Sequence, residues 1–589
     1  MVKKNSKTEN IDKKHKGPTG PSVFSILGPY KKMILLLISL ALITNALNLL
    51  IPSIVAKSID GYTAGTLVVS RMIWQFAIAT VAIFIFFYLQ SIVQTFASER
   101  VAKDTRTKLS AKISRLRYVD VENIGPSKLL TTLTSDIDSI KMFVSMAIVS
   151  IVSSIVIILG VSVLLLSINW KLGLLVLSII PIIGLTFFFI FSKVKVLFTR
   201  SREVVDKLNK VISESILGAA IIRVVNAQSS QYQKFLEVNT QARSVGLSIL
   251  AMFAALIPII SFVAGLATLA IVALGGKFVI GGSMSLGDFT AFYSYLAMLI
   301  FPIIIIGFMS SIIAQASASY ARIQGVLDTS EVIPTGTITS VIAGNIEFQN
   351  VNQVYGEKSA LQDVSFKIEA GTKTAIIGPT AAGKSQLLYA LTGLIVPTSG
   401  KVMYDGHELS EYEIENFHNQ VGLVFQDSSM FNMSIRENIA FNTVVTEEAL
   451  SRAVETAELG DFISSLPDGI DTVVSERGTS LSGGQKQRIM LARALSMNPK
   501  VLLLDDFTAR VDTQTEKAIL QNISKNYPGL TLVSVTQKLA AVEHYDSIIV
   551  LMEGELLAQG THRELMDKSP EYVQIYNSQQ STNAYEVRT

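Results

Sequence analysis

The 589-residue chain contains no cysteine, which excludes disulfides, thiolate nucleophiles and cysteine-ligated zinc. It is also poor in charge: Asp, Glu, Lys and Arg together make up 16% of the residues, and the mean hydropathy is +0.44. A chain this apolar cannot be water-soluble throughout, so part of it must lie in lipid. Its 50 basic and 47 acidic residues nearly cancel, leaving +3 and no electrostatic footprint for nucleic acid. The basic residues are unevenly placed. Six lysines fall in the first twenty positions, a polar stretch with no apolar core, read as a disordered cytoplasmic tail over 1–20 and not as a signal peptide.

What the chain has in abundance is long apolar runs. Six of them, at about 33–55, 72–96, 143–168, 172–192, 248–275 and 288–316, each approach the ~20 residues that cross a bilayer as a helix. Just before the first, Ser22 to Lys32 reads as an amphipathic stretch along the membrane surface. The connections over about 97–142 and 193–247 are long and charged, which predicts helices continuing into the cytoplasm. The first carries Arg100, Lys103, Arg106, Lys108, Lys112, Arg115 and Arg117, whereas the turn Asn169-Trp170-Lys171 holds one cation. The positive-inside rule then puts both termini and both long connections on the cytoplasmic side of a cell membrane.

The cores of the runs are essentially free of ionisable residues, which argues against an ion or proton path. Asn45, Asn48 and Gln90 are expected to form helix–helix hydrogen bonds. Phe187, Phe188, Phe189, Phe191, Met252, Phe253, Phe292, Met298 and Met309 are left to line a cavity, and they favour a hydrophobic or amphipathic cargo. A Thr-, Ser-, Gly- and Pro-containing linker over 326–343 separates the membrane domain, 21–325, from a soluble α/β domain expected over 344–580, with a tail at 581–589.

The soluble half opens on an apolar strand, Thr374 to Ile377, followed by Gly378-Pro379-Thr380-Ala381-Ala382-Gly383-Lys384-Ser385. This fits G-x-x-x-x-G-K-[ST], a loop whose backbone N–H groups surround phosphates while the lysine neutralises them and the serine holds Mg²⁺. It points to ATP. Downstream, Val501-Leu502-Leu503-Leu504-Asp505 reads as a buried strand ending in a carboxylate suited to Mg²⁺ held through water. Leu481-Ser482-Gly483-Gly484-Gln485 precedes a helix expected to start near Lys486, an N-terminus suited to a second phosphate group. Gln426 lies in Val424-Phe425-Gln426-Asp427, and Tyr355 follows a strand near Ile346 to Phe348, where its ring can stack on adenine.

With these motifs in order, the chain resembles an ATP-binding cassette exporter half-transporter: a six-helix membrane domain with cytoplasmic extensions, followed by a P-loop nucleotide-binding domain with a helical subdomain. Gly281 to Asp288 and Glu214 to Ala227 are similar to exporter membrane domains as well. The resemblance implies Tyr355 as the adenine-stacking residue, 378–385 and Gln386 as the Walker A side, and Gln426 as the Q-loop. It further implies Asp505 as the Walker B aspartate, 481–485 as a signature offered to a partner's ATP, and coupling helices near 118–127 and 217–226 touching the nucleotide domains. Mg²⁺ would be held by Ser385, Gln426 and Asp505.

Four departures from that family are informative. Asp506 stands where a catalytic glutamate is usual, and its shorter side chain draws the carboxylate back by roughly 1.5 Å. Gln537 replaces the usual switch histidine and cannot carry its charge. Ala381 replaces a glycine, and the D-loop reads Ala509-Arg510-Val511-Asp512. Binding is expected to survive while hydrolysis suffers. The chain thus resembles the degenerate half of a heterodimeric multidrug exporter, whose partner would be a homologous half-transporter carrying the Glu and the His. The other readings are a regulatory nucleotide-binding subunit and a homodimeric lipid flippase with slow hydrolysis; import is disfavoured by the fusion of the two domains.

Overall fold

The computed structural model describes residues 22–586 apart from 332–335, 357, 428, 443, 476–477 and 479, so the tail expected over 1–20 lies outside the described residues. The chain divides into two compact units. One takes in Arg115–Asn123 with Ser330–Thr589, the other the rest of the chain.

Among the described residues of the membrane unit, six helices are long and apolar enough to cross a bilayer. A 3₁₀ segment, Val23–Tyr30, runs into α1 (Lys31–Thr63). Then come α2 (Val69–Ile113), α4 (Pro126–Ile168), α5 (Trp170–Leu217), the short α6 (Ala219–Val224), α7 (Gln228–Ile280) and α8 (Leu286–Leu327), while the short α3 (Tyr118–Ile124) between α2 and α4 falls, but for its last residue, in the other unit. At 42 to 53 residues, α4, α5, α7 and α8 far exceed a bilayer's thickness. Because α8 continues to Leu327, the linker expected from 326 begins inside a helix.

Polar ties run between these helices. Asp60 on α1 accepts from Gly287 N and from Ser285 Oγ, each at 2.7 Å, placing a carboxylate at the positive end of α8. In α4 a π-helical turn, Thr132–Asp136, ends on the buried Asp136, which accepts from Arg322 Nε of α8 at 2.9 Å in a two-pronged pair.

The polar residues of the spans act differently from the expectation. Asn45 donates to Ala41 O at 2.7 Å and Asn48 to Thr44 O at 3.0 Å, so both bond to their own helix. The carbonyl one turn back is simply the nearest acceptor. Gln90 is buried, and among the described residues its Oε1 has no hydrogen-bond partner; one turn along, Gln94 makes a cross-helix bond, to Ser145 O. Of the aromatic residues, Phe187 and Phe292 are core, while Phe188 and Phe189 are exposed. Phe191, Phe253 and Phe308 form a ring cluster with Phe187, at centroid distances of 5.3 to 6.3 Å.

The second unit is built on two sheets. Antiparallel β1 (Ile346–Tyr355), β2 (Lys358–Ile368), β4 (Ser399–Tyr404) and β5 (His407–Glu408) lie in the order β2-β1-β4-β5. The other sheet uses β3 (Lys373–Ile377), β6 (Val421–Val424), β7 (Val501–Asp505), β8 (Thr531–Val535), β9 (Ser547–Met552) and β10 (Glu555–Gly560), in the order β10-β9-β3-β8-β7-β6. All residues of β7 and β8 are buried, as parallel strands covered on both faces must be. The α3 segment belongs to this unit: Tyr118 packs on Tyr389 with ring centroids 5.6 Å apart, and Val119 packs against the apolar cluster around β1 and β2.

Candidate nucleotide site

The parallel strands bring the motifs to one edge. Ile376 of β3 and Asp505 of β7 both pair with Val535 of β8, and Val424 of β6 pairs with Leu504. The segments leaving the carboxyl ends of these strands carry the phosphate loop, Asp505, Gln537 and Gln426 in turn, at the position where open α/β sheets bind ligands. They line one cleft of about 270 Å³, formed by residues 380–386 with Gln426, Asp505, Asp506 and Gln537, plus Ala360 and Val535. Ala360 and Val535 carry no chemical signal in sequence, which is why motif reasoning passes over them.

The loop is shaped for phosphate. Gly383 has φ +94°, and a side chain there would meet Ala360 O at 2.4 Å, so only glycine fits. Ala381 has φ +66°, the left-handed region, where its methyl costs about 1 kcal/mol that glycine would not. The loop feeds α9 (Lys384–Leu391), whose first residues, Lys384, Ser385 and Gln386, line the cleft at the helix N-terminus. Lys384 is buried and donates to Gly378 O at 2.8 Å and Pro379 O at 2.7 Å; neither of these two residues is among those lining the cleft. Burial lowers the Lys384 pKa, and Asp505 and Asp506 oppose that shift. An arriving anion would relieve the desolvated ammonium.

Asp505 is buried; burial raises its pKa, opposed by a hydrogen bond from Ser385. The serine–aspartate pair together with Gln426 thus presents oxygen donors of the kind Mg²⁺ takes. Asp506 has φ +48°, and its N–H donates to Val535 O at 3.0 Å. Burial raises its pKa too, against the charges of Lys384, Lys538 and Arg510. Tyr355 does not follow β1 but ends it, and its OH donates to Gln386 Oε1 at 2.7 Å. It lies outside the cleft lining yet is tied to it through Gln386.

The signature lies elsewhere on this unit. Its helix, α10 (Gly483–Ser496), begins earlier than expected near Lys486, because Ser482 caps it and Gln485 completes a reciprocal capping box. Gly483 and Gly484 are therefore the first helical residues, with Leu481 just before the cap. None of residues 481–485 lines the cleft of their own chain. The altered D-loop reaches them: a side chain on Gly484 would meet Arg510 O at 2.8 Å, and one on Gly483 would meet Arg510 Cδ at 3.3 Å.

Comparison with known proteins agrees with this architecture. The family description "ABC transporter transmembrane region" matches residues 34–303, and "ABC transporter" matches 361–509. The uncharacterized ABC transporter ATP-binding protein YfiB of Bacillus subtilis is 32% identical, covering 94% of this chain and 98% of its own length. An ATP-dependent lipid A-core flippase of Syntrophus aciditrophicus is 27% identical over 84% of this chain and 82% of its own. A solved bacterial Atm1-family ABC exporter with ATP bound superposes with a TM-score of 0.74, covering 94% of this chain and 99% of its own at 24% identity, which establishes the shared fold. The chain belongs to the ABC transporter family, as an exporter half-transporter that couples an ATPase domain to a six-helix membrane domain.

Proposed function

We propose that this chain is one half of an ATP-driven exporter of hydrophobic or amphipathic compounds in the cell membrane, with its nucleotide domain cytoplasmic. It binds ATP in a poorly hydrolytic cleft of its own and lends its signature to the competent site of a homologous partner. The observation that carries this reading is the separation of the two halves of the site within one chain: the cleft contains residues 380–386, Gln426, Asp505, Asp506 and Gln537 but no signature residue. A complete site needs a second nucleotide domain. Another surface supports a second chain: α6 is apolar yet open, with Ile221 70% and Val224 82% exposed.

In this scheme Lys384 takes the phosphate charge, Tyr355 stacks on the adenine, and Ser385, Gln426 and Asp505 would hold Mg²⁺, which supplies further charge neutralisation when bound. Asp506 is a short carboxylate on a left-handed backbone, and Gln537 carries no charge, so neither is suited to drive attack by water. The partner's cleft, closed by Ser482, Gly483 and Gly484, would carry the turnover. Closure of the two nucleotide domains reaches the membrane helices through α3, whose Tyr118 rests on Tyr389, itself 6.2 Å from Phe425 beside Gln426.

The cargo follows from spans with almost no charge and from the Phe191, Phe253 and Phe308 rings, and the lipid A-core flippase supports a lipid-like substrate. In liposomes holding the assembled transporter, ATPase stimulation by a graded series of amphiphiles should rise with their membrane partitioning. Strict selectivity for one hydrophilic solute would contradict the reading.

A further inference from the structure

The C-terminal helix α11 (Pro570–Glu586) is joined to the core from which the nucleotide cleft is built. Tyr572 is fully buried, its OH 2.7 Å from His562 Nδ1, and Ile575 and Tyr576 pack against the apolar cluster that contains Leu502 and Leu504 of β7. Residues 572, 576 and 579 recur at i, i+4 and i+7 and so share one face of the helix. On that face the Gln579 amide bridges the segment after β8. Its Nε2 donates to Gln537 O at 2.6 Å, and its Oε1 accepts from Leu539 N at 3.0 Å. One side chain thereby grips the backbone on both sides of Lys538, while Gln537 itself is one of the residues lining the cleft.

We infer that Gln579 is a positioning residue for the switch segment: it fixes where Gln537 stands at the cleft and so sets how long nucleotide stays bound there. The inference rests on the cleft being an ATP site. Both ends of the amide are used, so neither a hydrophobic nor a shorter side chain reproduces the grip. A segment released from it must be ordered anew at each binding event, and the affinity falls by the fraction of time it spends ordered. Losing two hydrogen bonds of ordinary strength corresponds to about a tenfold effect.

The test uses the assembled full-length transporter and a non-hydrolysable, fluorescent Mg-ATP analogue, so it does not depend on which site turns over. Release from this chain's cleft is the component removed by Lys384→Ala. Gln579→Ala should speed that component about tenfold, and in a Gln537→Ala background it should change it by less than about twofold, because the side chain being positioned is gone. Gln579→Glu keeps the acceptor for Leu539 N and loses the donor to Gln537 O; it should release faster than the parent, and it decides the question alone if the alanine variant melts early. Unchanged release in either variant, or an equal effect of Gln579→Ala with and without Gln537, overturns the positioning role alone. If no component responds to Lys384→Ala, the cleft assignment fails and this inference falls with it.

Discussion

Ser482→Arg in the signature should lower ATP turnover of the assembled transporter by at least about 100-fold. Ser482 caps α10 through its Oγ and the Gln485 N–H, while Gln485 Oε1 accepts from Ser482 N at 2.8 Å. That box places the first N–H groups of the helix, those of Gly483 and Gly484, at its open end. An arginine there removes the cap, worth about 1 kcal/mol, and fills the space a phosphate oxygen would take. Little relief is available nearby, because the backbone of Arg510 already leaves no room for a side chain on Gly484. Steady-state ATPase at saturating ATP reads the loss, and a reduced kcat with a retained KM marks it as a defect in turnover.

Lys384→Ala should speed release of nucleotide from this chain's own cleft by about 100-fold, the equivalent of one strong hydrogen bond to a charged group. The ammonium is already desolvated and held by the carbonyls of Gly378 and Pro379, so phosphate binding needs only a small movement of a group in place. Its lowered pKa has burial as the main cause, and a bound phosphate would oppose that cause. Filter-binding retention of labelled ATP on the co-purified complex measures the effect.

The chemistry of the cleft is legible in sequence because each motif is short and its geometry local. Gly383-Lys384-Ser385 can form only a few structures after a strand, and an apolar run ending in Asp505 can hardly be other than a buried strand. Six apolar runs announce six spans for a similar reason: backbone in lipid must bond within itself. Legibility fails where a contact is decided by packing. Asn45 and Asn48 look like cross-helix donors until the carbonyl four residues back proves nearer. The start of α10 is read late when the reciprocal bonds of Ser482 and Gln485 are overlooked, although S-x-x-Q is a cap signature in its own right. The grip of Gln579 on the segment bearing Gln537 leaves no trace in sequence, since a glutamine 42 residues downstream looks like any polar helix position. The backbone at Ala381 and Asp506 is likewise invisible there, yet both adopt a left-handed φ. At Ala381 this gives a physical cost to a substitution that motif comparison registers only as a departure.

The central claim is that hydrolysis depends on this chain's signature and not on its own carboxylate. It is tested by ranking two single variants, Ser482→Arg and Asp506→Ala, for ATPase at saturating ATP on co-purified complexes of verified stoichiometry. The account predicts that the signature variant is nearly inactive, while Asp506→Ala keeps activity within about threefold of the parent, since a carboxylate drawn back by roughly 1.5 Å does little for an attacking water. If Asp506→Ala stops turnover as completely as the signature variant, Asp506 is a working catalytic base and the asymmetric account is wrong.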